Sequence, residues 1–174
     1  MGVKSVMRDA GKVVMKAVGA QPNEAEQDLL DTLKSEHDEV KALLEDLENA
    51  DTAPQRRALV QKIKRALLPH SKAEEKILYA ALIALRNKDA QVDGHEGRIE
   101  HELVARTLQK LAALKSANSA EHIAAAKVLK ELVDHHIREE ERNAWGDARD
   151  HFPEEQRVTM NRRYLALKAQ VKVS

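Results

Sequence analysis

His70 and Glu74 lie four residues apart in the middle of the chain, in a segment with the apolar periodicity of a helix. Both side chains therefore project from one face of the predicted helix. That face is otherwise apolar, because Ile63, Leu67 and Ile77 continue the same line. Burying a polar group without a partner costs about 2–7 kcal/mol, and burying a charge costs more. We therefore expect partners from other parts of the fold to compensate these two side chains.

Three further histidines interrupt apolar seams in the same way, each on a different predicted helix: His37, His101 and His136. Glu140 follows His136 by four residues, so the second and the fourth predicted helices each carry one His-x-x-x-Glu pair. Glu100 and Glu102, which flank His101, are predicted to be solvated. One such histidine alone is more often a hydrogen-bonded core residue than a metal ligand. Four of them with two matched pairs instead predict a metal site.

The fourth predicted helix offers two registers for its pair, because His135 and Glu139 also lie four residues apart. The line through His136 continues over apolar residues, whereas the line through His135 soon reaches Arg142. The pair on the second helix also has an aromatic residue nine positions after its histidine, and the His136 register repeats that spacing. Both observations favour His136 with Glu140.

Turn and capping signals divide the chain into four long predicted helices that carry these residues. A capping box at Asn23 opens the first, Pro54 opens the second, and Asn118 begins the capping box of the fourth. The predicted helices cover residues 23–49, 54–87, 95–115 and 118–145, and segment 88–94 is predicted to be a loop. Short connections between long helices predict an all-α fold, an up-down-up-down four-helix bundle that brings the histidines to one level.

Two shorter helices are predicted outside the bundle. Residues 3–18 have an apolar stripe and basic side chains, which predicts an amphipathic helix that packs on the bundle or forms a homodimer. This segment lacks the bulky apolar residues of a surface-membrane anchor. Residues 154–171 are predicted to form a helix that covers part of the bundle. The resulting division is an N-terminal helix and linker (1–22), the bundle (23–150) and a C-terminal capping helix (151–174).

The composition favours helix and excludes several classes of function. Aromatic residues make up only 2% of the chain, and Lys+Arg and Asp+Glu both number 29, which argues against a sheet and against a general nucleic-acid binder. The chain has no cysteine, so disulfides, thiolate metal ligands and cysteine nucleophiles are excluded. Apolar runs are shorter than the ~20 residues that span a bilayer, and basic residues interrupt the N-terminal segment. We expect a cytoplasmic protein without stable membrane insertion.

Four imidazoles and two carboxylates in an apolar core would be strongly destabilising without a cation. Two divalent ions reverse this balance, because neutral imidazoles donate lone pairs and carboxylates can bridge the ions. Six ligand side chains also exceed the usual four of a single zinc ion, and the mixed set without thiolate favours iron or manganese. The sequence therefore predicts a dinuclear site with these ligands: His37, His70, Glu74, His101, His136 and Glu140.

This pattern resembles the hemerythrin family, in particular its HHE cation-binding domains. The family has a histidine on helix one, His-x-x-x-Glu on helix two, a histidine on helix three and His-x-x-x-Glu on helix four, and the similarity covers about residues 25–147. It implies a non-haem di-iron centre bridged by Glu74, Glu140 and a solvent-derived oxygen. It also implies that His37 and His70 lie near one iron and that the two other histidines lie near the second.

Two departures from oxygen-carrying hemerythrins bear on the function. Those proteins use a further histidine one turn before the third-helix histidine, where this chain has Gly97. They also have an aspartate five residues after the fourth-helix histidine, where this chain has Glu141, although the match with Glu74 favours Glu140 as the ligand. Fewer protein ligands leave more coordination positions open. The resemblance therefore implies reaction with exogenous ligands rather than simple reversible oxygen carriage.

Three functions are compatible with the sequence. The first is a di-iron protein that binds or reacts with oxygen, peroxide or nitric oxide, as a sensor, a scavenger or a peroxide-disproportionating enzyme. The second is an iron-binding or iron-sensing module whose stability depends on the metal and which has no redox turnover. The third is a helical interaction protein without metal that contacts a partner through its N-terminal helix.

Overall fold

A computed structural model describes residues 23–173, and this part of the chain is helical with no β-strand. Its α-helices are α1 (Leu29–Asn49), α2 (Ala53–Glu74), α3 (Ala80–Ile83), α4 (Lys88–Ala113), α5 (Ala120–Arg142), α6 (Ala144–His151) and α7 (Glu154–Lys168). A 3-10 helix, Glu24–Glu26, precedes α1, and a π-helical turn, Glu75–Tyr79, joins α2 to α3. The predicted all-α class is confirmed for these residues.

Polar side chains set where the four long helices begin. The capping residues are Asp28 for α1, Thr52 for α2, Asn87 for α4 and Ser119 for α5. Each accepts a hydrogen bond from a backbone amide of the first turn, which would otherwise lack a partner. The predicted cap at Asn118 is therefore wrong by one residue. The helix predicted from residue 23 is instead a 3-10 helix followed by α1.

Segment 88–94, which the sequence predicts to be a loop, forms the first turns of α4. Gly94 is buried within that helix, although it is a typical turn residue. A Cβ atom on Gly94 would lie 2.9 Å from the Ile83 side chain and 3.1 Å from the Tyr79 carbonyl oxygen. The close approach of the preceding helical segment, and not a turn, therefore explains this glycine.

The long helices form a bundle in which α1 contacts α2 and α5, and α4 contacts the same two helices. Apolar side chains fill its interior in two clusters. The first cluster includes Leu29, Leu33, Leu78, Leu82 and Trp145, and the second includes Val40, Leu44, Ile63, Leu108 and Leu129. In α1, His37 follows Leu33 of the first cluster and precedes Val40 of the second. A layer of histidines and glutamates thus separates the two apolar clusters.

The π-helical turn begins directly after Glu74. Helix α2 continues through Pro69, and the departure from α-helical hydrogen bonding comes only after Glu74. A π-helical turn holds more residues than an α-helical turn, so it rotates the residues that follow relative to the register of α2. Ile77, Leu78 and Tyr79 are all buried, although a regular amphipathic helix would spread three consecutive residues over two faces. The turn therefore brings Tyr79 into the interior.

Helix α7 covers the bundle beside α1 and α2. The Arg157 guanidinium pairs with the Asp28 carboxylate at 2.6 Å, and the Asn161 side-chain amide donates to the carbonyl oxygens of Glu24 and Gln27. These contacts fix α7 to the segment that leads into α1. The helix predicted for residues 154–171 is α7, which ends at Lys168.

The amphipathic helix predicted for residues 3–18 lies outside the described residues. Its proposed contact with the bundle or with a second subunit therefore stays a prediction. Between residues 23 and 173, no helix combines the length and the apolar character that crossing a membrane requires.

Candidate metal centre

The six predicted ligand residues meet in the polar layer between the two apolar clusters, and each of their side chains is buried. The ligand-type atoms of five of these residues gather in two groups, one with His37, His70 and Glu74 and the other with Glu74, His101 and His136. Within each group these atoms all lie within 4.8 Å of one another. Glu74 belongs to both groups, so one fully buried carboxylate lies between two pairs of histidines.

The inner contacts of the histidines are made by their Nε2 atoms. The Nε2 atoms of His70 and His101 lie 3.3 and 3.4 Å from the same oxygen of Glu74, Oε2. The Nε2 atoms of His101 and His136 are 3.1 Å apart. Two neutral imidazoles that present lone pairs at this distance require a proton or a cation between them.

Four outer carboxylates contact the opposite nitrogen atoms, Nδ1, of the same histidines. The pairs are Glu141 with His37 (3.0 Å), Glu36 with His70 (3.0 Å), Glu75 with His101 (3.3 Å) and Glu100 with His136 (2.7 Å). In every pair the carboxylate comes from a neighbouring helix. The carboxylate for the α2 histidine comes from α1, and the one for the α4 histidine comes from the π-helical turn after α2. The carboxylate for the α5 histidine comes from α4, and the one for the α1 histidine comes from α5. The four pairs thus close a ring around the centre.

This ring determines which nitrogen of each histidine faces inward. A carboxylate at Nδ1 accepts the proton of that nitrogen, so a neutral imidazole presents its lone pair at Nε2. Carboxylate–histidine pairs of this kind are the usual outer partners of metal-binding histidines, where they orient the ring and raise its basicity. The ring therefore orients the four Nε2 atoms towards the centre, where each can act as a metal ligand.

The outer carboxylates are not among the residues predicted from the sequence, and the prediction for Glu100 is wrong. Its side chain is only 15% exposed, because it pairs with His136 instead of facing solvent. Each outer carboxylate lies directly beside an inner residue in the sequence: Glu36 before His37, Glu75 after Glu74, Glu100 before His101 and Glu141 after Glu140. An acidic residue directly beside a predicted buried ligand in the sequence is the signal that could have identified all four.

In the metal-free protein, a proton on His70 compensates the charge of the buried Glu74 carboxylate. Burial alone would lower the pKa of His70, but the charge of Glu74 and the hydrogen bond with Glu36 raise this pKa to about 10. Burial likewise opposes ionisation of Glu74, yet His70 and His101 hold the pKa of its carboxyl well below the usual range. A metal ion at Nε2 would displace such a proton.

Several inward-facing atoms have no hydrogen-bond partner within residues 23–173. They are His37 Nε2, Glu140 Oε2 and both carboxylate oxygens of Glu74. A buried polar group without a partner costs about 1–3 kcal/mol, and more when it is charged. Imidazole nitrogens and carboxylate oxygens together suit divalent iron or manganese, so the donor set of this centre fits such ions.

Glu140 differs from Glu74 because one of its two oxygens is engaged. Its Oε2 lies 3.3 Å from Nε2 of His37 and 3.7 Å from Nε2 of His136. Its Oε1 accepts a hydrogen bond from the Tyr79 hydroxyl at 3.0 Å. Glu140 does not belong to either group of mutually close ligand atoms, so the geometry favours Glu74 as the shared carboxylate.

Tyr79 also occupies the space beside Gly97. A Cβ atom on Gly97 would lie 2.5 Å from Cζ of Tyr79 and 2.7 Å from its hydroxyl oxygen. The tyrosine is fully buried and its hydroxyl is held by Glu140, so the ring has little room to move away. The Tyr79 ring therefore explains why position 97 is a glycine, because it fills the space that a larger side chain would need.

We expect Gly97→Ala to destabilise the protein by about 1–3 kcal/mol, because the added methyl group forces Tyr79 out of its site. Gly146→Ala in α6 is the matched control, since no atom lies within 4 Å of its added Cβ. That change should stabilise the helix by up to about 1 kcal/mol. Denaturant unfolding of the two metal-free variants measures both effects, and a shift of the same sign in both would contradict the close packing at Gly97.

A cavity adjoins the four histidines on the side of the second apolar cluster. Its apolar walls include Val40, Leu67, Val104, Val133 and Ile137. Glu36 and Lys168 also line it and form an ion pair at 2.8 Å. The cavity therefore places aliphatic side chains next to the four histidines, in a space that could hold a small molecule.

In α5, the structure turns His136 and Glu140 towards the centre and the alternative pair away from it. The His135 side chain is 52% exposed, and Glu139 pairs with Arg142. His135 lies 3.3 Å from Glu100, the carboxylate that contacts His136, so it touches the ring from outside.

Comparison with protein-family models matches residues 28–144 to the Hemerythrin HHE cation binding domain. Comparisons with curated proteins and with solved structures found no match. The matched segment runs from the cap of α1 to the first residue of α6, so it contains the six inner residues and the four outer carboxylates, whereas α7 lies beyond it. The chain therefore belongs to the family of hemerythrin HHE cation-binding domains, as its pattern of histidines and glutamates predicts.

Proposed function

We propose that the chain is a non-haem di-iron protein that binds or reacts with oxygen, peroxide or nitric oxide. The proposed histidine ligands are His37 and His70 for one iron ion and His101 and His136 for the other. Glu74 would bridge the two ions, and Glu140 would add its free oxygen, Oε2. Bound iron supplies redox chemistry at the coordination positions that the protein and a solvent-derived bridging oxygen leave open.

The main support for this proposal is that several buried carboxylate oxygens and one imidazole nitrogen of the centre have no hydrogen-bond partner among the described residues. Both oxygens of Glu74 lack a hydrogen-bond donor among the described residues, although the four surrounding imidazoles are each held by an outer carboxylate. Buried polar groups in folded proteins are normally hydrogen-bonded. Two divalent cations would satisfy the central carboxylate and the inward-facing nitrogens together.

The apolar cavity beside the histidines supports reaction with a small exogenous molecule. It is small and combines aliphatic side chains with the four histidines, which suits oxygen, nitric oxide or hydrogen peroxide better than a large polar substrate. The glycine at position 97 leaves the centre one histidine short of the set that oxygen carriers use. Together these features favour a sensor, a scavenger or a peroxide-disproportionating role over simple reversible carriage.

The alternative is an iron-binding or iron-sensing module without redox turnover. It is favoured by the way in which the centre connects the fold, because the carboxylate–histidine ring joins α1, α2, α4 and α5. Helix α7 reaches the same ring, since Tyr164 and Lys168 both contact Glu36. Loss of iron would therefore loosen α7 as well as the bundle, and this change could signal iron supply.

Metal analysis combined with visible spectroscopy separates these functions. Untagged protein is loaded with ferrous iron without oxygen, and its iron content and spectrum are measured before and after addition of oxygen or peroxide. The redox proposal expects both iron ions to bind and the spectrum to change. Bound iron with an unchanged spectrum would support the iron-sensing alternative. Failure to bind iron would contradict both functions.

We also infer that α1, α2, α4 and α5 alternate in direction as an up-down-up-down bundle. Short connections and the cyclic contacts between these helices support this arrangement. A cytoplasmic location and a homodimer formed through residues 1–22 are further proposals. Sedimentation of the full chain beside a chain that lacks residues 1–22 tests the dimer.

A further inference from the structure

The chain contains one tryptophan and two tyrosines, and all three pack on histidines of the proposed metal centre. The pairs and their ring-centroid distances are Trp145 with His37 (5.5 Å), Tyr79 with His101 (5.3 Å) and Tyr164 with His70 (6.3 Å). Each of the three aromatic side chains is buried. The only easily oxidised aromatic rings of this sequence therefore surround one site.

The two phenol groups already have proton acceptors in hydrogen-bond contact. The Tyr164 hydroxyl donates to Glu36 Oε2 at 2.6 Å, and the Tyr79 hydroxyl donates to Glu140 Oε1 at 3.0 Å. A phenol releases its hydroxyl proton when it loses an electron, so a positioned acceptor makes this oxidation easier. Both acceptors belong to the carboxylates that contact the histidines. The Tyr164 hydroxyl also lies 3.1 Å from Nδ1 of His70. Each phenol thus has a proton acceptor in hydrogen-bond contact and a histidine ring packed beside it.

We propose that Tyr79 and Tyr164 donate electrons to the metal centre when hydrogen peroxide oxidises it. This inference rests on the di-iron function proposed above. Hydrogen peroxide takes up two electrons and two protons when its O–O bond breaks, and two water molecules form. Each phenol gives one electron through the adjacent ligands and one proton through its carboxylate partner, and becomes a neutral phenoxyl radical. Two phenols therefore balance one peroxide molecule, with no net change in the oxidation state of the iron.

Trp145 has a different environment and is assigned a packing role. Its ring stacks on His37 with an angle of 13° between the two planes. Its indole nitrogen is buried and has no hydrogen-bond partner within the described part of the chain. The indole therefore lacks the proton acceptor that both tyrosines have. This contrast makes the tyrosines the electron donors that the geometry selects.

Electron paramagnetic resonance tests this proposal in a single turnover. Iron-loaded protein is mixed with hydrogen peroxide and frozen rapidly. We expect an organic-radical signal that narrows when the protein is produced with ring-deuterated tyrosine. The signal should weaken in Tyr79→Phe and in Tyr164→Phe and be lost in the double variant, in which both rings keep their packing. Lys34→Met is the matched control, because it removes a charged partner of another outer carboxylate, Glu141, lies outside the cavity lining and leaves both phenols intact.

The outcomes separate this inference from the di-iron function itself. A radical signal that tyrosine deuteration does not change would overturn the inference, and this measurement needs no variant to fold. Peroxide consumption with a change in the iron spectrum but no organic radical would also overturn it, while the di-iron function would stand. If peroxide is not consumed and the spectrum does not change, this inference fails, and the di-iron function is then tested by the addition of oxygen or nitric oxide to the same iron-loaded protein.

Discussion

Replacement of Glu74 by glutamine is expected to abolish binding of both metal ions and not of one alone. Glu74 belongs to both groups of ligand atoms, and neither of its oxygens has a hydrogen-bond partner among the described residues. The amide keeps the size of the side chain but has no negative charge and presents N–H donors. These donors would compete with the metal at the Nε2 atoms of His70 and His101, which lie 3.3 and 3.4 Å from the carboxylate. Iron content after reconstitution and gel filtration measures the loss.

Glu75→Gln is the matched control for this prediction. Glu75 is the next residue and contacts the same His101, but it does so at Nδ1, from outside the centre. Removing an outer partner typically weakens metal affinity by about 10–100-fold, so this variant should still bind iron when iron is supplied in excess. If Glu74→Gln kept one of the two ions, Glu74 would not be the shared ligand. Equal loss in both variants would contradict the distinction between inner and outer carboxylates.

The inner histidines could be predicted because each one conflicts with its own local pattern. An imidazole such as His37 interrupts an apolar seam, and the interruption is visible within a single helix. The spacing of His70 and Glu74 is equally local, since four residues make about one turn. A single helix therefore contains enough information to mark its inner residues, and four such helices together indicate the metal site and the family.

The outer carboxylates could not be found in this way because each acts on a different helix. Glu100 lies beside His101, yet its partner is His136 of α5. Helical periodicity assigns a side chain to a face of its own helix but does not show which neighbour that face meets. The rotation of each helix about its axis decides this contact, and that rotation depends on tertiary packing.

Tyr79 and Gly97 show a second limit of the local pattern. The residues after Glu74 have the periodicity of a continuing α-helix, and nothing in that periodicity marks the π-helical turn that brings Tyr79 to Glu140. Gly97 similarly suggests only a missing ligand until the tyrosine ring beside it is known. The contacts of Tyr79 with Glu140 and with Gly97 both depend on how two helices approach each other, and the sequence pattern of a single helix does not show that approach.

Removal of the metal is expected to lower the thermal unfolding midpoint by roughly 8–16 °C. A ligand that binds only the native state adds about 4 kcal/mol when it is present at about a thousand times its dissociation constant. For a chain of this length, each 1 kcal/mol shifts the midpoint by about 2–4 °C. Calorimetry of iron-loaded and chelator-treated protein in the same buffer measures the difference.

The size of this shift should increase with pH. Burial lowers the pKa of His70, but Glu74 and Glu36 outweigh burial and raise it to about 10 in the metal-free fold. Because this value lies above the ordinary value of about 6.5, the proton stabilises the metal-free fold fully below about pH 6.5 and is lost as the pH rises through about 10. The same proton competes with the metal at Nε2. Metal-dependent stabilisation should therefore be larger at about pH 8 than at about pH 6.

Two neighbouring histidines provide the control for this prediction. His136→Ala removes one of the proposed inner ligand atoms, whereas His135→Ala removes a side chain that is 52% exposed and touches the ring from outside. We expect the metal-dependent increase in midpoint to be lost in the first variant and kept in the second. An increase that survives in His136→Ala, or that becomes smaller as the pH is raised, would show that the stabilising metal binds elsewhere. Loss of the increase in His135→Ala alone would instead support the alternative register of α5.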